Sequence, residues 1–164
     1  MSNLLWYAFF IKKEVIQMDY EIVFLEEKTI AGFCKRTAND KSDMEQVIGS
    51  LWQQWAKAEK EVKERSNDKC IGLYSNYIGM EYDTTVGCEI KKGQAVPQNM
   101  IQKTIPKGKY AKFVLIGDVV KTVQKAWQEI WKMDLQRTFT ADFEEYQQGE
   151  NMEEMEIHIY VAIK

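Results

Sequence analysis

The segment DFEEY, from Asp142 to Tyr146, places two carboxylates between aromatic residues shortly before the strand-like C-terminal segment EMEIHIYVAIK. If DFEEY is also a strand, its side chains alternate between two faces, so Glu144 and Glu145 point to opposite sides. A carboxylate among aromatic rings attracts a cationic ligand by charge, while the rings add cation–π and stacking contacts. A desolvated carboxylate also has a raised pKa, which suits a general acid or base. We therefore take Glu144 as the centre of a binding or catalytic site, and Glu145 as a solvent-facing residue.

The composition limits the classes of function. With 164 residues, 45% of them hydrophobic, the chain can bury a core in one domain or in two closely packed halves. A net charge of −3 argues against nucleic-acid binding, because neutralising several phosphates needs a clustered positive field. The three cysteines and the single histidine, His158, lack the spacing of a disulfide framework or a zinc site. We therefore expect no metal or cofactor, and a reduced, cytoplasmic setting.

The first 17 residues need separate treatment. Their apolar run from Leu4 to Ile11 is too short to span a bilayer, and no basic region or cleavage site accompanies it. We expect no membrane insertion. Residues 1–17 are interpreted as an extension ahead of a start at Met18, or as a segment that docks on the domain or on a protein partner. The domain is then predicted to cover residues 18–164.

The elements that must position the acids follow a repeated order. From Tyr20, a strand-rich segment leads to an amphipathic helix around LWQQW and then to the strands CIGLYSNYIG and TTVGCEI. After Pro97 the order returns, with two strands around the IPKG turn, a helix begun by Asp118, and the strands FTADFEEYQ and EMEIHIYVAIK. We therefore predict an α+β fold of two strand-helix-strand-strand modules, at about 18–97 and 98–164, whose antiparallel sheet carries the helices on one face and a ligand cleft on the other.

The two copies also share residue types. SLWQQWAK in the first helix parallels KAWQEIWK in the second. GLYSNY parallels DFEEY if Leu73 is matched to Phe143, and Tyr74 then becomes the counterpart of Glu144. Such an order can also arise by chance in an α+β chain, which leaves the duplication a prediction.

Alternation along the strands assigns faces to these residues. In the last strand the aliphatic residues Ile157, Ile159 and Val161 share one face, which should carry the helices. By the same pattern Phe143 is predicted to point toward the helices and Glu144 away from them. The predicted ligand-binding residues on the helix-free face are Glu144, Tyr74, Tyr146, His158, Tyr160 and Glu89, with Tyr110 and the helix residue Trp127 as further candidates. The alternative is a solvated face, but several aromatic rings in water would form an unusual apolar patch.

In their order and spacing, these motifs resemble those of a known family. Together they are similar to the GyrI-like small-molecule-binding domain, the effector-binding domain of AraC-type and multidrug-sensing bacterial regulators. The segments that carry this similarity are YEIVFLEEKTIAGF, LWQQW, GLYSNY with VGCEI, IPKGKYAKF, AWQEIW, DFEEY and EIHIYVAIK. The resemblance covers nearly the whole chain after residue 19.

The resemblance implies a pseudo-twofold pair of modules with a ligand cleft between them. It places a buried acid at Glu144, in the F-E-x-Y motif, and pocket residues at His158 and Tyr160. The chain is then expected to act as a stand-alone sensor or sequestration protein for planar, hydrophobic and in part cationic molecules. Two alternatives stay open, a hydrolase of cyclopropane-bearing genotoxic compounds that uses Glu144 and Tyr74, and a modulator of a protein partner of the gyrase-inhibitor type. A homodimer also stays open.

Overall fold

The computed structural model describes residues 18–164, which form eight strands and two α-helices. The predicted extension at residues 1–17 and its docking alternative lie outside these residues. Neither described helix is long and apolar enough to cross a bilayer. The elements are β1 (Glu21–Leu25), β2 (Lys28–Ala38), α1 (Met44–Ala58), β3 (Cys70–Ile78), β4 (Glu81–Ile90), β5 (Ile101–Ile105), β6 (Gly108–Gly117), α2 (Lys121–Ile130), β7 (Arg137–Tyr146) and β8 (Met155–Ile163).

All eight strands belong to one antiparallel sheet with the order β1-β6-β8-β7-β3-β4-β2-β5. The central strands are β7 and β3, and Leu73 lies directly opposite Phe143. The comparison of the two copies in the sequence matches the same two residues. Equivalent residues face each other in this way when a twofold axis passes between two antiparallel strands. The predicted α+β fold with duplicated halves is confirmed.

The two halves exchange their first strands, and this curves the sheet. Strand β1 pairs with β6 of the second half, and β5 pairs with β2 of the first. Only two residues connect β1 to β2, and two connect β5 to β6. Because consecutive Cα atoms are 3.8 Å apart, such a link spans at most about 11 Å. The two ends of the sheet therefore approach each other, and its helix-free face is concave.

The concave face is filled by side chains. Phe143 stacks on Tyr160 with ring centres 4.5 Å apart, and the Tyr110 hydroxyl donates to the Pro106 carbonyl at 2.7 Å. Residues from both ends of the sheet join this cluster, whose buried members are Ile30, Ile71, Leu73, Ile105, Tyr110, Ala141, Phe143, Tyr160 and Ala162. The helix-free face is thus a second core, and the prediction of a ligand cleft on it is wrong. Its aromatic residues fill the curve of the sheet.

The helices cover the outer parts of the other face, which we call the helix face. Helix α1 packs on β2 and β4, and α2 packs over β6 and β8 with Ile157, Ile159 and Val161 beneath it, as predicted. The Asp118 carboxylate caps α2 by accepting from the backbone N–H of Val120 and Lys121 at 3.0 and 2.9 Å. The central strands β3 and β7 therefore lie between the two helices.

Candidate functional site

Glu144 lies on the helix face between α1 and α2, and only 1% of its surface is exposed. Its Oε1 atom accepts hydrogen bonds from the Trp127 indole N–H at 2.7 Å and the Tyr74 hydroxyl at 2.9 Å. Its Oε2 atom accepts from the Tyr146 hydroxyl at 2.7 Å. All three donors are neutral. Within residues 18–164 this carboxylate forms no ion pair, which is unusual for a buried charge.

The sheet register decides the face of Glu144. Glu144 lies opposite Ile159 of β8 and Gly72 of β3, and Ile159 is beneath α2. Directly opposite residues share a face, so Glu144 points toward the helices and Phe143 toward the concave core. The predicted assignment of these two residues is wrong by one position. The prediction that Phe143 and Glu144 point to opposite faces is correct, but the two faces were interchanged. Both faces of the sheet are apolar, so the alternation does not show which of them carries the helices.

Gly72 makes room for the carboxylate. A Cβ atom at this position would lie 3.1 Å from Glu144 Oε2 and 3.3 Å from Cζ2 of Trp52. Trp52 of α1 also makes an edge contact with Tyr146, with ring centres 4.9 Å apart. Gly72 and Trp52 were not among the predicted site residues. The match of SLWQQWAK to KAWQEIWK was the available signal, since it pairs Trp52 with Trp127.

Burial determines the protonation chemistry of this cluster. Desolvation raises the pKa of Glu144 above its ordinary value, although the hydrogen bonds from Tyr146, Trp127 and Tyr74 act in the opposite direction. Desolvation and the nearby Glu144 charge raise the pKa of Tyr74 and of Tyr146 well above the usual range. Both phenols are therefore protonated donors at neutral pH.

A second acid on the same strand has the opposite environment. Asp142 is fully buried, and its Oδ2 atom accepts from Arg137 Nη2 at 2.6 Å and from the Tyr77 hydroxyl at 2.7 Å. Its Oδ1 atom accepts from the backbone N–H of Ala162 at 3.0 Å. The charge of Asp142 is thus compensated by an arginine, whereas that of Glu144 is not.

A β-bulge brings Tyr77 to Asp142. The pairing of β3 with β4 shifts by one residue between Ser75 and Ile78, and Asn76 has a φ of 54°. Asparagine tolerates this left-handed conformation better than most residues. The extra residue turns Tyr77 to the helix face, where its ring lies 5.9 Å from that of Tyr82. Simple alternation places Tyr77 on the same face as Leu73, so this contact could not be predicted from the strand pattern.

Four predicted site residues lie on the concave side, away from Glu144. Tyr110 and Tyr160 belong to the concave core. His158 lies at its edge, directly opposite Glu145, and its Nε2 is 2.7 Å from Glu156 Oε1. Glu89 accepts from the Lys28 ammonium at 3.0 Å. The structure therefore gathers Glu144, Tyr74, Tyr146 and Trp127, and it separates His158, Tyr160, Tyr110 and Glu89 from them.

Glu145 is not solvent-facing as predicted. Only 5% of its surface is exposed, and its carboxylate lies 3.4 Å from the Lys69 ammonium and 3.8 Å from His158 Nδ1. The Gln147 side-chain amide also donates to it at 3.0 Å. Glu144 and Glu145 are thus two buried acids on opposite faces of one strand, and only Glu145 has a cation beside it.

The aromatic rings lie directly on Glu144, so the site is closed. Two surface hollows of about 260 and 440 Å³ occur elsewhere in the described chain, and Glu144 lines neither of them. Access to the carboxylate requires at least one ring to move. In residues 18–164, no three His, Cys, Asp or Glu side chains are grouped to share a metal ion.

Comparisons with known proteins show the family of the chain. The model of the Cass2 family, described as integron-associated effector binding protein, matches residues 21–163. The protein YobU of Bacillus subtilis (strain 168) is 34% identical in an alignment of 154 residues, which covers 87% of this chain and 96% of YobU.

Two solved structures show the same fold. An integron cassette protein from the mobile metagenome of Vibrio cholerae has a TM-score of 0.72 at 24% identity, over 88% of this chain and 95% of that one. The structure of SAV2435 bound to tetraphenylphosphonium has a TM-score of 0.74 at 20% identity, over 90% and 94% of the two chains. The chain therefore belongs to the integron-associated effector-binding protein family, which confirms the effector-binding membership predicted from its sequence.

Proposed function

We propose that this protein binds hydrophobic aromatic cations at Glu144, between α1 and α2, and serves as a sensor or a sequestration protein for them. The observation that carries the proposal is a buried carboxylate held only by neutral donors. Burying an uncompensated charge costs free energy, and an entering cation recovers part of that cost. Asp142, two residues earlier, shows the contrast, because Arg137 already occupies the corresponding position beside it.

The surrounding rings suit a cationic ligand with apolar groups. Trp127, Tyr74, Tyr146 and Trp52 are half-buried, and three of them pack at the edges of the two cores beneath the helices. These are the rings that must move for a ligand to reach Glu144. Once displaced from the carboxylate, they can line the ligand and contribute cation–π contacts. The ligand cation then replaces neutral hydrogen bonds with a direct charge interaction at low effective dielectric. The rings also exclude small hydrated ions, which gain nothing from an apolar wall.

A structural neighbour supports the chemical class. SAV2435 was solved with tetraphenylphosphonium, a monocation whose charge is surrounded by aryl groups. Because the folds agree over about nine-tenths of both chains, tetraphenylphosphonium is a suitable first probe.

Hydrolysis of a reactive small molecule at Glu144 is the second candidate. The raised pKa of Glu144 favours it, since a general acid or base works best near the operating pH. Both oxygens of Glu144 already accept hydrogen bonds, however, and the strongly raised pKa of Tyr74 makes its phenol a poor proton donor. Binding therefore needs only ring movement, whereas hydrolysis also needs a placed water molecule. For this reason we favour binding.

The proposal is tested by calorimetric titration of tetraphenylphosphonium into the parent protein, Glu144→Gln and Glu145→Gln. Both variants remove one buried carboxylate charge from β7, but on opposite faces. We expect saturable binding by the parent and by Glu145→Gln, and at least a tenfold loss in Glu144→Gln, as is typical for removing a buried charge partner. Equal affinity in the parent and Glu144→Gln contradicts the proposal. Mass spectrometry after incubation with cyclopropane-bearing electrophiles separates hydrolysis from binding.

A further inference from the structure

A small hollow lies beside the C-terminal end of α2. It has a volume of about 260 Å³ and is lined by Trp131, Met133, Asp134, Leu135, Gln136, Arg137 and Phe139. Two of its aromatic side chains are exposed, Trp131 at 54% and Phe139 at 53%. Exposed aromatic residues that border a hollow are typical of a ligand-binding surface.

A large bulge in β7 holds Phe139 in place. Arg137 lies opposite Ile163, whereas Asp142 lies opposite Val161, so β7 contains three more residues than β8 over this interval. Phe139 itself has a φ of 55°, a left-handed conformation that is unfavourable for a bulky residue. The Arg137 guanidinium lies 4.3 Å from the centre of its ring and fixes it against the hollow. The bulge thus places the Phe139 ring between solvent and the side chains of Arg137 and Tyr77, at the edge of the hollow.

Trp127 connects this hollow to Glu144. The Arg137 guanidinium, which lines the hollow, lies 6.0 Å from the centre of the Trp127 ring. The indole N–H of the same tryptophan donates to Glu144. Movement of one half-buried side chain therefore changes the contacts of both the hollow and the carboxylate.

We propose that the hollow is an outer subsite, which takes a flat aromatic ring of the ligand whose cationic centre is paired with Glu144. Trp127 is the ring that moves to join the two places. This inference rests on the proposed function and adds to it a second place on the protein, beside the C-terminal end of α2, that contacts the ring system of the ligand.

The size and the aromatic lining of the hollow specify this class. Its 260 Å³ are below the range of about 300–1,000 Å³ typical of pockets for drug-sized ligands, so it holds one ring system rather than a whole ligand. Asp142 compensates the charge of Arg137, and the Asp134 carboxylate in the lining accepts from the Gln136 side-chain amide at 2.7 Å. The part of the lining formed by Trp131 and Phe139 is suited to stacking with a flat aromatic group.

Two quaternary ammonium probes test the outer subsite, namely tetramethylammonium and (2-naphthylmethyl)trimethylammonium, titrated by NMR. They carry the same charge, but only the second has a flat ring system. We expect Phe139→Ala, and separately Trp131→Ala, to lower the affinity for the naphthyl probe about tenfold and to leave tetramethylammonium unchanged. Both residues are half exposed, and Phe139 also contacts the Tyr77 ring and the Arg137 guanidinium. The tetramethylammonium titration therefore checks that each variant keeps the Glu144 site intact. Phe24→Ala, at a β1 phenylalanine that is 77% exposed, is the matched control and should change neither affinity.

The outcomes separate this inference from the proposed function. If Glu144→Gln weakens both probes but Phe139→Ala and Trp131→Ala bind the naphthyl probe as the parent does, the outer subsite is refuted and the proposed function stands. If the parent binds neither probe, or Glu144→Gln binds both like the parent, the proposed function fails and the outer subsite fails with it.

Discussion

Glu144 and Gly72 lie directly opposite each other on the two central strands, and the carboxylate occupies space next to the glycine that a side chain would take. The pseudo-twofold relationship pairs Gly72 with Asp142 and Glu144 with Tyr74. The duplicated halves therefore differ where the site lies, and one half supplies the acid while the other supplies the room for it and a hydroxyl donor.

Gly72→Ala should weaken ligand binding. Its Cβ would lie 3.1 Å from Glu144 Oε2 and 3.3 Å from Trp52, so both side chains must shift. We expect about a tenfold loss of tetraphenylphosphonium affinity and a loss of about 1 kcal/mol in the free energy of unfolding. Gly49→Ala is the control, because nothing lies within 4 Å of its added Cβ in α1. That variant should keep its affinity and gain up to about 1 kcal/mol from helix propensity. Unchanged affinity in Gly72→Ala contradicts the site geometry.

Cation affinity should depend on pH through Glu144. Only the ionised carboxylate attracts a cation, so affinity falls as the pH decreases through the pKa of Glu144. Because desolvation raises that pKa, the loss should begin at a higher pH than for an exposed glutamate. Tyr146→Phe removes the hydrogen bond to Oε2 and should move the midpoint to still higher pH. Calorimetric titrations across a pH series measure both midpoints, and a lower midpoint in Tyr146→Phe contradicts the assignment.

Glu144 should destabilise the folded protein at neutral pH. A carboxyl group whose pKa is raised by folding contributes stability that is fully present below its unfolded pKa and lost as pH rises through its folded pKa. Glu144→Gln stays neutral and should therefore gain about 0.5–2 kcal/mol in the free energy of unfolding at pH 7 to 8, the range common for single stabilising substitutions. The difference should vanish near pH 4. Thermal unfolding across this pH range measures it, and a variant less stable than the parent at pH 8 contradicts the prediction.

The Arg137 and Asp142 pair should contribute strongly to stability. Arg137→Leu leaves a fully buried carboxylate without its cation, which typically costs about 3–5 kcal/mol. Arg36→Leu is the control, because Arg36 pairs with Asp83 at the surface, where such pairs contribute up to about 1 kcal/mol. Urea unfolding compares the two variants. Equal losses in both contradict a special role for the buried pair.

The amino-acid pattern alone determined the order of the elements and the duplication, and it predicted that Glu144 lies among aromatic side chains. Helix periodicity and strand alternation are local properties, so they can be read without knowing the contacts. The match of Leu73 to Phe143 predicted two residues that face each other in the sheet. The position of Glu144 in DFEEY predicted a carboxylate surrounded by aromatic side chains, and the structure places three donors from such side chains on it.

Only the tertiary structure decided which face of the sheet holds Glu144. The exchange of β1 and β5 between the halves curves the sheet and fills its concave side, which makes both faces apolar and hides the phase of the alternation. The bulges at Asn76 and Phe139 then change the side to which Tyr77 and Phe139 point. Strand exchange and bulges depend on contacts between residues far apart in sequence, and for that reason period-two patterning could not place Glu144 between the helices.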